Sequence, residues 1–111
     1  MPAVITTNLL FMFVHHVFFW LKPELNQEQQ AAFEAGVKSL LGIEFVKIGD
    51  VGKPATTDRP VIERSYSYSL LLAFDSLADH DSYQVDPTHL KFVETCQQYW
   101  DRVIIYDSET V

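Results

Sequence analysis

The residues of this chain best suited to acid–base chemistry are a tyrosine and a histidine six positions apart, Tyr83 and His89. The Asp86-Pro87 step between them predicts a corner, because the residue before a proline avoids the helical backbone region. Such a corner could fold the tyrosine hydroxyl back toward the imidazole. His89 would then lie near a helix N-terminus, which disfavours its charged form, and a neutral histidine can act as a general base. A structural histidine that braces the corner is the other interpretation, and spacing alone favours it.

The other three histidines do not form a recognisable metal-binding motif. His15 and His16 are neighbours on a predicted strand, so their side chains should point to opposite faces of the sheet. His80 lies between two aspartates in a polar stretch, which we expect to be exposed. Because no pair of histidines has a known zinc-ligand spacing, we expect no metal site. The chain also lacks a phosphate-binding glycine loop, a serine-nucleophile elbow and a Cys-x-x-Cys pair.

Aromatic side chains supply the candidate walls of a ligand pocket. His16 shares a predicted strand face with Phe18 and Trp20, where it could line a pocket or be a satisfied core residue. The candidate ligand-binding residues are therefore His16, Phe18, Trp20, Phe92 and Trp100. Physical considerations alone favour a core, since aromatic clusters are more often core than ligand cage. Cys96 follows Phe92 on the same helix stripe and is expected to be a small buried hydrophobe rather than a nucleophile.

Alternation and helical spacing together predict four strands and three helices. The first strand covers residues 12–21, and a helix follows from the capping residue Asn26 to about Gly42. The remaining predicted elements are a strand over 44–51, a loop over 52–63, a strand over 64–74, a short helix from 75 to about 84, a long helix from 87 or 88 to about 102, and a strand over 103–106. This order is typical of a ferredoxin-like α+β fold, βαββαβ, with a four-stranded antiparallel sheet.

The chain carries more apolar surface than one small domain can bury. It has 111 residues, of which 48% are hydrophobic and 14% are aromatic. Both faces of the first predicted strand are mostly apolar, so both should be covered. Helices can cover one face, and the simplest cover for the other is the sheet of a second copy. We therefore expect a homodimer.

Charge and cysteine content indicate which partners are unsuitable for this chain and which cellular compartment suits it. With 8 basic and 15 acidic residues the formal net charge is −7, which repels phosphate backbones, so we expect no nucleic acid partner. The apolar run over 9–21 is short for a membrane span and lacks the basic flank of a signal peptide, so we expect no membrane association. The single cysteine, Cys96, suits a reducing compartment and predicts a cytoplasmic protein. Residues 1–11 are interpreted as an N-terminal extension that precedes one domain over 12–108.

Several short motifs, in this order along the chain, resemble the stress-responsive A/B barrel (Dabb) family over about residues 13–107. The matching segments are His16-Val17, Leu21-Lys22-Pro23, Val46-Lys47-Ile48-Gly49, residues 68–74, Phe74-Asp75-Ser76, Tyr83-Gln84-Val85-Asp86-Pro87-Thr88-His89, Trp100 and Val103-Ile104-Ile105-Tyr106-Asp107. The resemblance implies a dimeric α+β barrel, in which two four-stranded sheets pack face to face.

The resemblance also implies a chemistry. One plant member of the family, olivetolic acid cyclase, closes a linear polyketide by intramolecular aldol condensation without a metal or organic cofactor. Tyr83 and His89 match its working pair, and His16 matches a first-strand histidine on its pocket wall. His89 would take a proton from the carbon beside a carbonyl, and Tyr83 would orient the imidazole or hydrogen-bond the enolate oxygen. Many relatives have histidine where this chain has Asp86, and a carboxylate there could raise the pKa of His89.

Two functional hypotheses follow. The first is a Dabb-type homodimer of undetermined biochemical role that binds a small apolar or aromatic ligand without a cofactor. The alternative is a cofactor-independent enzyme that uses Tyr83 and His89, either as a polyketide cyclase or as a monooxygenase, since the wider barrel class includes cofactor-free oxygenases of aromatic substrates. The enzyme hypothesis requires a pocket of several hundred cubic ångströms walled by His16, Tyr83 and His89. A space filled by Phe92 and Trp100 would contradict it.

Overall fold

The computed structural model describes residues 11–111, which contain four strands and three α-helices. The strands are β1 (Phe13–Leu21), β2 (Ile48–Gly52), β3 (Tyr68–Phe74) and β4 (Trp100–Glu109). The helices are α1 (Gln27–Ser39), α2 (Leu77–Gln84) and α3 (Pro87–Cys96), and short 3-10 turns lie at Leu40–Gly42 and Gln97–Tyr99. None of the helices within this described range has the length and apolar character needed to cross a membrane. Most of the predicted N-terminal extension, residues 1–10, lies outside the described residues.

The four strands form one antiparallel sheet in the order β2-β3-β1-β4. β1 is central and is hydrogen-bonded along its length to β3 on one side and β4 on the other. Strands β1 and β4 come from opposite ends of the chain, so their pairing closes the domain. The predicted ferredoxin-like α+β fold is confirmed.

Burial alternates along β1 because helices α1, α2 and α3 cover one face of the sheet. This helix-side face carries the buried β1 residues Phe13, His15, Val17 and Phe19. The three apolar ones pack into a core with Phe33, Val37, Leu40, Leu70, Leu72 and Phe92. The other face, called the open face below, carries the half-buried β1 residues Val14, His16, Phe18 and Trp20. The two mostly apolar faces expected of the first strand are therefore both present, and the helices within residues 11–111 cover one of them.

Local signals set where the helices begin. Asn26 and Gln29 form the predicted capping box of α1, in which each side chain accepts a hydrogen bond from the other residue's backbone N–H. The carboxylate of Asp86 caps α3 by accepting from the backbone N–H of Thr88 at 2.8 Å, and Pro87 occupies the first helical turn. Helices α2 and α3 therefore meet at the predicted corner.

Several element boundaries differ from the predictions. The last strand begins at Trp100 instead of residue 103, and the preceding helix ends at residue 96 instead of about 102. Tyr99 and Trp100 continue the helical spacing of the apolar stripe, but aromatic residues also favour strands, and Trp100 pairs with Leu21 of β1. β4 continues through polar residues to Glu109 because β1 supplies hydrogen-bond partners that far. Strands β2 and β3 begin at residues 48 and 68 instead of the predicted 44 and 64.

Candidate functional site

A cavity of about 180 Å³ lies between the helix-side face and the helices. Three polar rings, His15, Tyr83 and His89, lie on its wall together with Gln84. The rest of the wall is apolar and is formed by Val17, Phe19, Leu40, Leu70, Phe92, Val93, Trp100, Val103 and Ile105. Apolar walls with a few convergent polar groups are typical of ligand sites, although sites for drug-sized molecules usually measure about 300–1,000 Å³. This cavity is smaller than the several hundred cubic ångströms expected for the enzyme hypothesis, and it suits a smaller molecule, comparable to a substituted benzene ring.

Tyr83 and His89 are adjacent on the cavity wall, as their positions on either side of the corner predict. Their ring centroids lie 4.8 Å apart. Tyr83, at the end of α2, is only 1% exposed, and burial raises the pKa of its hydroxyl well above the ordinary value of 10.0. The backbone N–H of Asp86 donates to the carbonyl of Tyr83 at 3.1 Å, which holds the corner. Tyr83 therefore keeps its proton at neutral pH and can act as a hydrogen-bond donor.

His89 is held in its neutral form. Burial is the largest influence and lowers its pKa below the ordinary 6.5, and the nearby charges of His15 and His80 lower it further. A backbone hydrogen bond with Gln84 and the charge of Asp86 act in the opposite direction without overcoming burial. Its Nδ1 is buried and has no hydrogen-bond partner within residues 11–111. A neutral imidazole with a free ring nitrogen on a cavity wall has the properties of a ligand-binding group or a general base.

His15 completes the polar part of the wall, and sequence reasoning did not select it. It is 4% exposed, and its ring centroid lies 6.0 Å from that of Tyr83. Its Nδ1 lies 2.6 Å from Oδ1 of Asp107, the residue opposite it on β4, so the imidazole donates to the carboxylate. Burial lowers the pKa of His15 and outweighs the raising effect of Asp107. The alternation of β1 contained the signal, because His15 shares its face with Val17 and Phe19, but both faces of this strand are apolar.

His16, Phe18 and Trp20 lie on the open face, away from Tyr83 and His89. They line a second cavity of about 350 Å³ together with Glu63, Tyr66 and Tyr106. The rings of His16 and Phe18 are 4.3 Å apart. The arrangement with His16, Tyr83 and His89 on one wall is therefore not the one found: His15 takes that place, because strand alternation sends neighbouring residues to opposite faces. A ligand-binding role of His16, Phe18 and Trp20 stays a prediction and would concern the open face.

Phe92 and Trp100 lie on the wall of the first cavity without filling it. Their ring centroids are 5.7 Å apart, and Trp100 also lies 5.1 Å from Phe19. Cys96 is buried one turn farther along α3, where a Cβ on Gly36 would come within 2.5 Å of its Sγ. The close approach of α1 and α3 thus gives Cys96 a packing role, as expected.

His80 is buried, and the prediction that it is exposed is wrong. It is 8% exposed, and its ring lies 4.6 Å from Phe13 and 5.6 Å from Phe74. The acidic neighbours on either side suggested a solvated stretch, but helical geometry turns consecutive residues to different faces of α2. His80 therefore packs against the sheet while Asp81 stays exposed.

The topology and the position of the cavity define the class: a small ferredoxin-like α+β domain with a ligand-sized space between its sheet and its helices. Within that class, the chain belongs to the Stress Responsive A/B Barrel Domain (Dabb) family, whose model matches residues 13–110. The resemblance in the sequence motifs is thus confirmed, and family membership by itself indicates no specific activity. Comparison with curated proteins gives no match.

Solved structures share this fold over nearly their whole length. A Dabb family protein from Mesorhizobium loti is 21% identical with a TM-score of 0.74, and the match covers 91% of this chain and 98% of that one. A dimeric ferredoxin-like protein of unknown function from Jannaschia sp. is 25% identical with a TM-score of 0.66, over 89% and 99% of the two chains. Hydroxynitrile lyase from Passiflora edulis is 19% identical with a TM-score of 0.73, over 90% and 94%.

Proposed function

We propose that this protein is a homodimer whose helix-side cavity binds one small apolar or aromatic ligand that carries a carbonyl or hydroxyl group. The observation that supports this most directly is the cavity wall, where apolar side chains surround the clustered polar groups of His15, Tyr83 and His89. His89 lies on this wall, and its Nδ1, which is buried and has no partner within residues 11–111, can hydrogen-bond one polar atom of the ligand once the ring rotates toward the cavity. A few such groups in an apolar site set the orientation of the ligand.

The open face supports the dimeric part of the proposal. It is apolar and aromatic, it includes Phe18 and Trp20, and Tyr106 beside them is 64% exposed in the single chain. Monomeric proteins rarely leave large contiguous apolar patches in water. The Jannaschia relative is a dimeric protein. A second copy packed sheet to sheet would cover this surface.

Charge and thiol content support two further parts of the proposal, namely that nucleic acid is not a partner and that the protein is cytoplasmic. A formal net charge of −7 disfavours binding to phosphate backbones, which argues against nucleic acid as a partner. The one cysteine, Cys96, is buried and free. A chain with a single thiol cannot form an internal disulfide, which agrees with a reducing compartment such as the cytoplasm.

A catalytic role is the second candidate, and the neutral state of His89 favours it. As a general base, His89 would remove one proton from the bound molecule, and the protonated hydroxyl of Tyr83 would stabilise the negative charge that develops on oxygen. The Passiflora relative is named a hydroxynitrile lyase. Hydroxynitrile cleavage and aldol condensation both require a base that moves a proton of a small carbonyl compound or its adduct, so both are reaction types for which His89 and Tyr83 are suited.

Binding and turnover are tested with the same pair of variants. Full-length protein is titrated with small aromatic aldehydes, ketones, phenols and hydroxynitriles, and binding is followed by NMR shifts and turnover by product formation. His89→Gln should weaken binding about tenfold, as expected for one lost hydrogen bond, and lower any turnover about 100-fold or more. His16→Gln, on the opposite face, is the matched control and should change neither. Shifts confined to the open face would contradict the proposed site, and binding without turnover would remove the catalytic candidate.

A further inference from the structure

A second cluster of polar side chains adjoins the cavity, and it combines two buried imidazoles with a carboxylate. One nitrogen each of His15 and His80 and one carboxylate oxygen of Asp107 all lie within 4.8 Å of one another. We propose that these three residues form a binding site for one divalent first-row transition-metal ion, such as Zn²⁺. The site goes beyond the proposed ligand binding and does not depend on it.

Three different elements bring these residues together. His15 lies in the centre of β1, and Asp107 is its direct partner on β4. His80 comes from α2, and its ring centroid lies 4.8 Å from that of His15. Because a sheet register and a packed helix hold the three side chains, most of the ordering that a metal site needs is already present in the fold. Their separation along the chain explains why no zinc spacing is visible in the sequence.

An unsatisfied atom in His80 points to a ligand. His80 Nε2 is buried and has no hydrogen-bond partner within residues 11–111, which is costly for a polar group away from water. His80 Nδ1 lies 3.2 Å from Oδ1 of Asp81, so a proton on Nδ1 leaves Nε2 with a free lone pair. Metal-bound histidines usually have this arrangement, in which a carboxylate or carbonyl accepts from the second ring nitrogen. A metal ion would satisfy the orphaned nitrogen.

The geometry requires a modest contraction around the ion. Nitrogen and oxygen ligands lie about 2.0–2.2 Å from Zn²⁺, which places neighbouring ligand atoms about 3–3.5 Å apart. The Nδ1 of His15 and Oδ1 of Asp107, now 2.6 Å apart, must separate slightly, and His80 must approach them. The side chain of Asp107 is 42% exposed and can rotate to allow this. The proton that His15 donates to Asp107 must move to the other ring nitrogen, Nε2, when Nδ1 and Asp107 both bind the ion, so the neutral imidazole changes its tautomer.

The ligand types select the class of metal. Two imidazoles and one carboxylate suit zinc, iron, cobalt and nickel better than magnesium or calcium, which prefer oxygen ligands. Three protein ligands leave at least one coordination position open. Because His15 also lines the cavity, that position would be accessible to a small molecule bound there.

Cobalt titration tests the site without any organic ligand. Tag-free, full-length protein treated with EDTA is titrated with Co²⁺ and then with Zn²⁺. We expect visible Co²⁺ absorption without a thiolate charge-transfer band, one ion per chain, and displacement of Co²⁺ by Zn²⁺. His80→Gln should weaken binding at least 100-fold, and Asp81→Asn about tenfold, within the range of about 10–100-fold for lost outer partners. His16→Gln, a histidine on the open face, is the control and should bind as the parent does.

Two results would overturn the proposal. One is the absence of a one-to-one Co²⁺ complex with the parent protein. The other is binding that His80→Gln leaves unchanged, because the ion would then lie elsewhere. If circular dichroism shows that His80→Gln does not fold, Asp107→Asn decides the question, because asparagine has the same shape as aspartate and the side chain is half-exposed. Asp107→Asn should weaken binding at least tenfold. Since no cavity ligand is present, failure of the metal site leaves the proposed ligand site to its own test.

Discussion

His15 and His16 are consecutive residues with different surroundings. His15 lies on the cavity wall and donates to Asp107, whereas His16 stacks near Phe18 on the open face. Side chains of a strand point alternately to its two faces. An alignment of this strand with its relatives that is wrong by one position therefore moves a functional group to the other side of the sheet. Pattern alone places the two histidines on different faces, but it does not tell which face the helices cover.

The burial of two histidines predicts how the stability of the protein depends on pH. Burial lowers the pKa of His15 and of His89 below the ordinary value of 6.5. The unfolded chain therefore binds more protons than the folded chain just below pH 6.5, and the free energy of unfolding should fall as the pH decreases through that value. We expect the Tm, followed by circular dichroism, to decrease between about pH 7.5 and about pH 5.5, a range in which histidine is the main titrating side chain.

The variant His89→Gln isolates one part of this effect. Glutamine does not titrate, so the decrease in Tm over the same pH range should be smaller than in the parent protein. The carboxylates with lowered pKa values, Glu34 and Glu63, titrate below their ordinary value of 4.5 and do not contribute in this range. An equal decrease in the variant and the parent would show that the buried state of His89 does not contribute to the pH dependence.

At the scale of elements, the α2–α3 corner combines a structural and an electrostatic function in Asp86. Its carboxylate caps α3 through the N–H of Thr88, and its charge raises the pKa of His89. Asp86→Ala removes both effects and should lower the free energy of unfolding by about 0.5–2 kcal/mol. Asp86→Asn keeps a capping oxygen and removes only the charge, so it should cost less stability.

The two Asp86 variants should agree in one property. Without the carboxylate, the pKa of His89 should fall further below its ordinary value in both, because a negative neighbour stabilises the imidazolium. Urea unfolding measures stability, and NMR titration of the His89 ring measures the pKa. If Asn destabilises the protein as much as Ala does, the charge and not the cap is the important feature of Asp86.

The sequence predicts the order of the elements, but it does not predict the features that depend on contacts between distant residues. The capping residues Asn26 and Asp86 and the alternation of β1 predict the order of elements, because these signals are local. The start of β4 at Trp100 depends on pairing with a strand about eighty residues earlier, which no local pattern contains. The burial of His80 and its approach to His15 likewise depend on how α2 packs on the sheet. The candidate site was therefore predicted for Tyr83 and His89, which lie close in the chain, and missed for His15.

At the scale of the whole molecule, the open face, which no element within residues 11–111 covers, is the proposed dimer interface. Phe18 lies at its centre, with ring contacts to His16 at 4.3 Å and Tyr66 at 4.9 Å, and Ile104 of β4 lies opposite it. In a two-fold symmetric dimer each subunit contributes the same surface, so one substitution changes the interface twice. A charge at the position of Phe18 would therefore bury two unpaired carboxylates, each of which is costly away from water.

Phe18→Glu should raise the dissociation constant of the proposed dimer at least 100-fold, which corresponds to about 2.7 kcal/mol. Sedimentation velocity at micromolar concentration should then show a dimer for the parent protein and a monomer for the variant. Leu90→Glu is the matched control, because Leu90 lies on α3, away from the sheet, and is 55% exposed. It should remain dimeric, which separates loss of the interface from added charge alone. A monomeric parent, or a Phe18→Glu variant that stays dimeric, would contradict sheet-to-sheet association, while an unchanged circular dichroism spectrum would confirm that the variant still folds.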